Sequence, residues 1–183
     1  APSFYDFPEC LKKDEVFLEI ADHPTYYGCL KTFCDSEPIL QDVGPRIVPP
    51  APISYTSWHP DTPHDRHLHI KIQIYLNDMA RGGGEFAYVP GSHKPDAGPF
   101  PEPRRQEDMP QMVRFTGAAG TAIMFNCYGW HTALYNNSTI PRKSIIITYH
   151  QRAEGDDIDR SPFKYLESRC TTDERRRLLC LQA

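Results

Sequence analysis

From His67 to Leu76 the chain alternates strictly. Leu68, Ile70, Ile72, Ile74 and Leu76 are apolar, and His69, Lys71, Gln73 and Tyr75 between them are polar or amphipathic. Successive side chains of a strand point to opposite faces, so this period of two predicts a strand with one face on a core and the other facing something polar. Bulk solvent is the usual partner for such a face. Shorter strands are predicted over 85–89, between Gly82-Gly83-Gly84 and Pro90-Gly91, over 121–125 after Gly117 to Gly120, and over 144–150 after Pro141, each bounded by turn residues. Helical spacing is weaker: Val16, Phe17 and Ile20 predict a short helix within 12–21, and Thr171-Thr172-Asp173-Glu174 fits a capping box ahead of Arg175 to Leu179. The proline-rich stretch from Gly44 to Pro52 cannot be helical, because each proline removes a donor and restricts the residue before it, so it is expected to be an extended connector or loop. These elements sum to a mainly β, mostly antiparallel sandwich or barrel with minor flanking helices.

A length of 183 residues suits a single domain. The expected division is an N-terminal extension and connector over 1–52, a β core over 53–150, and a C-terminal tail with a short helix over 151–183. Leu, Ile, Val and Phe together sit near the ~20% lower edge of globular chains, and the 18 prolines are about twice the usual share. Many ordered loops between short strands would account for both. A formal charge of −4 argues against the basic face that phosphate neutralisation requires, so no nucleic-acid partner is expected and a small-molecule partner is. No apolar run approaches the ~18–20 residues that span a bilayer, and Ala1-Pro2-Ser3-Phe4 has neither a basic n-region nor an h-region. The six cysteines form no CxxC and are sparse for a disulfide scaffold, which points to free thiols in a reducing, cytoplasmic compartment without a membrane partner. Two overlapping glycosylation sequons at Asn136 and Asn137 are short enough to arise by chance. No oligomeric state follows from the sequence.

His59-Pro60-Asp61 sets two metal-competent side chains at i and i+2, which in extended backbone share a side. Alone the pattern is weak, and His64, His67 and His69 lie close enough to complete a zinc-hydrolase cluster instead. The downstream half changes the balance. His131 in Gly129-Trp130-His131 follows a predicted strand, and eleven residues later Arg142 opens another, with Ser144 two positions on and on the same side. Two imidazoles and a carboxylate on one face of a metal leave three positions open on non-haem Fe(II), enough for a bidentate co-substrate and O2. An arginine in the same domain can grip a distant carboxylate through two parallel hydrogen bonds, which lysine cannot match in geometry.

These residues resemble the phytanoyl-CoA dioxygenase-like family of Fe(II)/2-oxoglutarate oxygenases. The resemblance rests on Trp58-His59-Pro60-Asp61, on Ile74 to Asp78, on Gly84 through Val89-Pro90-Gly91-Ser92-His93-Lys94, and on Trp130-His131 followed by Asn136 and Arg142. It covers roughly residues 53–150. It implies a double-stranded β-helix, that is, a jelly-roll, cupin-like barrel, with His59, Asp61 and His131 as iron ligands. It also implies that Arg142, assisted by Ser144, binds the far carboxylate of 2-oxoglutarate, and that Gln73, with Lys71 next, reaches the co-substrate from the neighbouring strand. His93 belongs to the loop motif rather than to the metal set. The implied reaction consumes O2, converts 2-oxoglutarate to succinate and CO2, and oxidises an unactivated C–H bond of a small molecule. Related halogenases carry a small residue in place of the carboxylate, so Asp61 points to hydroxylation or another oxidation rather than halogenation. Tyr75, Tyr88, Trp58, Trp130, Phe86 and Phe125 are candidates to wall the pocket, and the Pro- and charge-rich stretch 95–110 to lie at its entrance. Only 58 residues precede His59, fewer than the family usually carries, so either the protein is a compact member or segments such as N-terminal helices and a substrate lid are missing from this chain. A non-catalytic β-barrel binding module that kept these motifs is the remaining alternative.

Overall fold

A computed structural model describes residues 4–51, 57–152 and 159–181. Its strands are β1 (Tyr5–Asp6), β2 (Pro38–Val48), β3 (His69–Tyr75), β4 (Phe86–Tyr88), β5 (Val113–Phe115), β6 (Ala122–Asn126), β7 (His131–Ala133) and β8 (Arg142–Gln151). Helices α1 (Cys10–Lys13), α2 (Val16–Glu19) and α3 (Pro24–Cys34) precede β2, and α4 (Asp173–Leu178) follows β8. One sheet has the order β1-β2-β8-β3-β6 and the other β5-β4-β7, with every pairing antiparallel. Two facing antiparallel sheets whose last long strand returns between β2 and β3 make a jelly roll.

The alternation in β3 does what its period requires. Ile70 and Ile72 turn outward with Ile145, Ile147 and Tyr149 of β8, and pack against Leu18, Leu30, Cys34, Leu166 and Leu178 from the helical layer. Each fully buried aliphatic side chain there contributes about 1.5–3 kcal/mol. The opposite face is not in bulk solvent. Tyr75 stands opposite Ser144, Gln73 opposite Ile146 and Lys71 opposite Thr148, and Gln73 and Ser144 are buried. This face meets the smaller sheet: the Tyr75 hydroxyl donates to the Phe115 carbonyl at 2.8 Å and accepts from the Phe86 N–H at 3.0 Å. The polar half of the alternation therefore lines the space between the sheets.

Two expectations need correction. The segment from Gly44, expected as a connector, is the second half of β2, which pairs with β8 from Pro38↔Gln151 to Val48↔Arg142. The larger sheet therefore begins within the stretch assigned to the N-terminal extension, well before residue 53; the first residues of the assigned core, 53–56, lie outside the described residues. Prolines are tolerated because Pro38 opens the strand, and because the Pro45 ring nitrogen lies on the same side as its carbonyl, towards β1, whose edge ends there with Phe7 N–H donating to that carbonyl at 3.0 Å. The ladder with β8 loses nothing. In place of one helix within 12–21 there are two single turns, α1 and α2, broken at Asp14, followed by α3, which opens with Pro24 at its first turn and His23 accepting from Thr25 N–H. At the C-terminus the cap is Thr172, which accepts from Arg175 N–H at 3.2 Å. The capping residue is thus the second of the two threonines. All six cysteines are unpaired, and among the described residues no helix is long and apolar enough to cross a membrane.

Candidate metal centre

His59 lies outside any strand but forms a single antiparallel bridge with His131, the first residue of β7. Each donates its N–H to the other's carbonyl at 3.1 Å. Such a mutually bonded pair brings two side chains to one face of the sheet, and the two rings stand 4.7 Å apart. Asp61, two residues on, is fixed by its own N–H, which donates to the Cys127 carbonyl at 2.9 Å. Both imidazoles have a set tautomer. His59 Nδ1 donates to the Ser57 carbonyl at 2.6 Å and His131 Nδ1 to the Gly129 carbonyl at 2.9 Å, so a proton sits on Nδ1 in each and Nε2 is the ligating atom.

The His131 Nε2 is 3.0 Å from Asp61 Oδ2, and His59 Nε2 is 3.8 Å from Asp61 Oδ1. One ligand atom from each of the three residues falls within 4.8 Å of the others. Donors ~2.1 Å from a shared ion and at right angles to one another would lie about 3.0 Å apart, so this donor set fits a metal with a nitrogen, nitrogen, oxygen face. Burial pushes His59 below the usual imidazole range, which favours the neutral form that ligates. Burial pushes the Asp61 carboxyl up, but its close contacts with the His131 ring, then with the Lys71 ammonium, outweigh it and hold the carboxyl well below the usual range. His64, His67 and His69 do not join this group. His64 Nε2 donates to the His93 carbonyl and its ring stacks on Tyr128, while His69 Nδ1 meets the Thr62 hydroxyl.

On the same inner face, Arg142 is 2% exposed and its Nη1 donates to the Gly84 carbonyl at 2.6 Å. Its Nε has no partner, and among the described residues no carboxylate forms an ion pair with it. Burial pushes its guanidinium down to about 10, which leaves it a cation at neutral pH. An unpaired buried charge is expensive, on the order of several kcal/mol. Ser144 Oγ and Gln73 Nε2 are also buried without partners. Three unsatisfied donors, one of them cationic, on adjacent inward positions of β3 and β8 fit the carboxylate end of a dicarboxylate. Lys71 goes elsewhere: its Nζ lies 2.9 Å from Asp61 Oδ1.

The six aromatic residues divide. Phe125, Phe86 and Tyr88 surround the His131 ring at 4.9, 5.6 and 6.4 Å, the last stacked. Tyr75 bonds the two sheets together, and Trp58 and Trp130 belong to a separate cluster behind the smaller sheet, where Trp58 Nε1 donates to the Gln106 carbonyl. The Pro90-Gly91-Ser92-His93 motif acts structurally. Its Ser92 Oγ accepts from Trp130 N–H at 2.8 Å, next to Val89 N–H on the Trp130 carbonyl, and so holds the approach to His131. Gly129 is required here, because a Cβ would fall 1.8 Å from the Tyr88 hydroxyl. The role of Cys127 has no signal in the sequence: its backbone carbonyl holds the Asp61 N–H, and its buried thiol also meets the Asp61 carboxylate.

The fold is thus a jelly roll with two histidines and an aspartate converging as a candidate metal site, and with a buried arginine that has no carboxylate partner on the inner face. The model of the phytanoyl-CoA dioxygenase family matches residues 5–144. This chain belongs to that family. Among solved structures, it is similar to HygX from Streptomyces hygroscopicus with nickel, 2-oxoglutarate and hygromycin B bound, at 17% identity and a TM-score of 0.69, covering 81% of this chain and 70% of that one. It is also similar to SnoN, a non-haem α-ketoglutarate-dependent epimerase from nogalamycin biosynthesis, at 18% identity and a TM-score of 0.64, and to SnoK, a carbocyclase from the same biosynthesis, at 18% and 0.64. The chain covers 61% of SnoN and 63% of SnoK. No curated protein matches by sequence.

Proposed function

We propose that the protein is a non-haem Fe(II)/2-oxoglutarate-dependent dioxygenase that hydroxylates an unactivated C–H bond of a small molecule. The observation that carries this reading is the trio of unpartnered buried donors, Arg142 Nε, Ser144 Oγ and Gln73 Nε2, on the face that also holds the metal-competent triad. His59, Asp61 and His131 would hold the iron, and Arg142 and Ser144 the far carboxylate of 2-oxoglutarate. Iron and 2-oxoglutarate, when bound, supply O2 activation: substrate C–H, O2 and 2-oxoglutarate become C–OH, succinate and CO2. The chain's own residues orient and exclude. Phe125, Phe86 and Tyr88 shield His131 from water. A cavity of about 360 Å³ beside Lys71, with Gly44, Ile146 and Thr148 on its sheet side and Phe7 and Asp42 also along its wall, is the candidate substrate space. The six unpaired thiols favour the cytoplasm as its compartment.

Anaerobic Fe(II) and 2-oxoglutarate added to the folded protein should give the weak visible charge-transfer band of a chelated complex. Absence of that band would sink the reading. HygX, SnoN and SnoK share this fold, and the last two are named as epimerase and carbocyclase, so the outcome of C–H attack needs its own measurement. With ¹⁸O2, hydroxylation places label in the product; epimerisation or ring closure leaves it unlabelled.

A further inference from the structure

Lys71 enters the site from β3, level with Thr148 of β8 on one side and Phe125 of β6 on the other. Its ammonium is 2.9 Å from Asp61 Oδ1, whereas the other carboxylate oxygen, Oδ2, faces His131 Nε2 at 3.0 Å. Among the described residues, Asp61 is the one anion within ion-pair distance of Lys71. Oδ1 also lies 3.8 Å from His59 Nε2, so each Asp61 oxygen stands near one of the two imidazole donors, and what sets Oδ1 apart is its bond to the lysine.

We infer that Lys71 is a positioning residue that restricts Asp61 to ligation through one oxygen. This rests on the metal-centre reading above. Its physical basis is a count of coordination positions. A six-coordinate ion with three protein donors keeps three positions, two for a chelating keto acid and one for O2. A carboxylate free to rotate can ligate through both oxygens, as carboxylates do on hard cations, and would then remove one of those positions. A charge-assisted bond from Lys71 to Oδ1 opposes this, because rotating Oδ1 towards the metal would leave the ammonium unpaired at a site where it is only 24% exposed. Lysine suits this position because it donates to one oxygen as a point charge, whereas an arginine fork would compete for both.

The test uses Co(II), whose visible d–d bands report coordination number, on the whole chain without oxygen. Wild type and Lys71→Met are loaded with Co(II) and then titrated with 2-oxoglutarate. The expected result is that Lys71→Met still binds Co(II) but with altered d–d bands before any 2-oxoglutarate is added, and that its affinity for 2-oxoglutarate then falls at least about tenfold, the size of effect outer partners of metal ligands usually have. Lys71→Gln, which keeps one donor to Oδ1, should recover part of both signals, and a thermal melt confirms that each variant is folded. Unchanged bands in Lys71→Met overturn the inference; if 2-oxoglutarate affinity nevertheless drops, Lys71 contacts the co-substrate directly. If wild type itself takes up neither Co(II) nor Fe(II), the proposed function fails first, and that outcome is distinct from either result with Lys71.

Discussion

The two faces of β3 and β8 are built from alternate residues of the same segments, yet they obey opposite rules. Outward, Ile70, Ile72, Ile145 and Ile147 pack against the helices by apolar contact, and Tyr149 donates its hydroxyl to the Ala21 carbonyl. Inward, Lys71, Gln73, Arg142 and Ser144 are buried or half-buried polar groups, and three of the four hold an atom with no partner. One face supplies the free energy that lets the other remain incompletely paired. Unsatisfied buried polar atoms also occur elsewhere, as at the Tyr27 hydroxyl in the helical layer and at Arg160, but those of Arg142, Ser144 and Gln73 share one face with the metal-competent triad, which is where a ligand would use them together.

The comparison can be broken from either side. The largest effect is expected from Asp61→Ala or His131→Ala, which should reduce iron-dependent succinate formation by more than about 10³-fold while the melting temperature moves by only a few degrees; a comparable loss of stability would mean that the triad is part of the core instead. Next, Ile72→Ala or Ile147→Ala on the outer face should cost about 2–5 kcal/mol in chemical denaturation, with Fe(II) and 2-oxoglutarate affinity at low temperature unchanged within about twofold. Coupled loss of affinity would show that the faces are not separable. Arg142→Leu should weaken 2-oxoglutarate by about 10–100-fold, as expected for a charge-assisted contact, and should abolish the rise in melting temperature that 2-oxoglutarate gives wild type. An undiminished rise would put the carboxylate elsewhere. Smallest is Ser144→Ala, a loss of about 1 kcal/mol in 2-oxoglutarate binding, roughly fivefold by isothermal titration; no change would leave Ser144 as a bystander.

Much of this architecture was legible in the residue pattern, and the failures are instructive. The inward face of β3 was recognisable as special only through His59, Asp61 and His131, since alternation alone cannot tell a solvated face from a lined cavity. β2 was hidden because its prolines read as breakers; only the tertiary setting, with Pro45 turned towards the short β1 edge, shows that no ladder bond to β8 is lost. The bulge at Gln41, which turns Leu40 to the core beside Tyr149 and Asp42 to the inner face beside Thr148, has no sequence signature. Lys71 was legible as an inward residue but not as a partner of Asp61, because a long flexible side chain has several anions within reach and spacing does not choose among them.

The reciprocal backbone bond between His59 and His131 joins two segments more than seventy positions apart through one bridge, outside the long ladders. Its two amide hydrogens should therefore exchange with solvent as a coupled pair, by a local opening rather than global unfolding. A metal ion spanning the two rings would close that opening. Protection at these two amides, rising together with metal occupancy while the amides of β3 and β8 stay constant, would make them a built-in gauge of how tightly the ion is held.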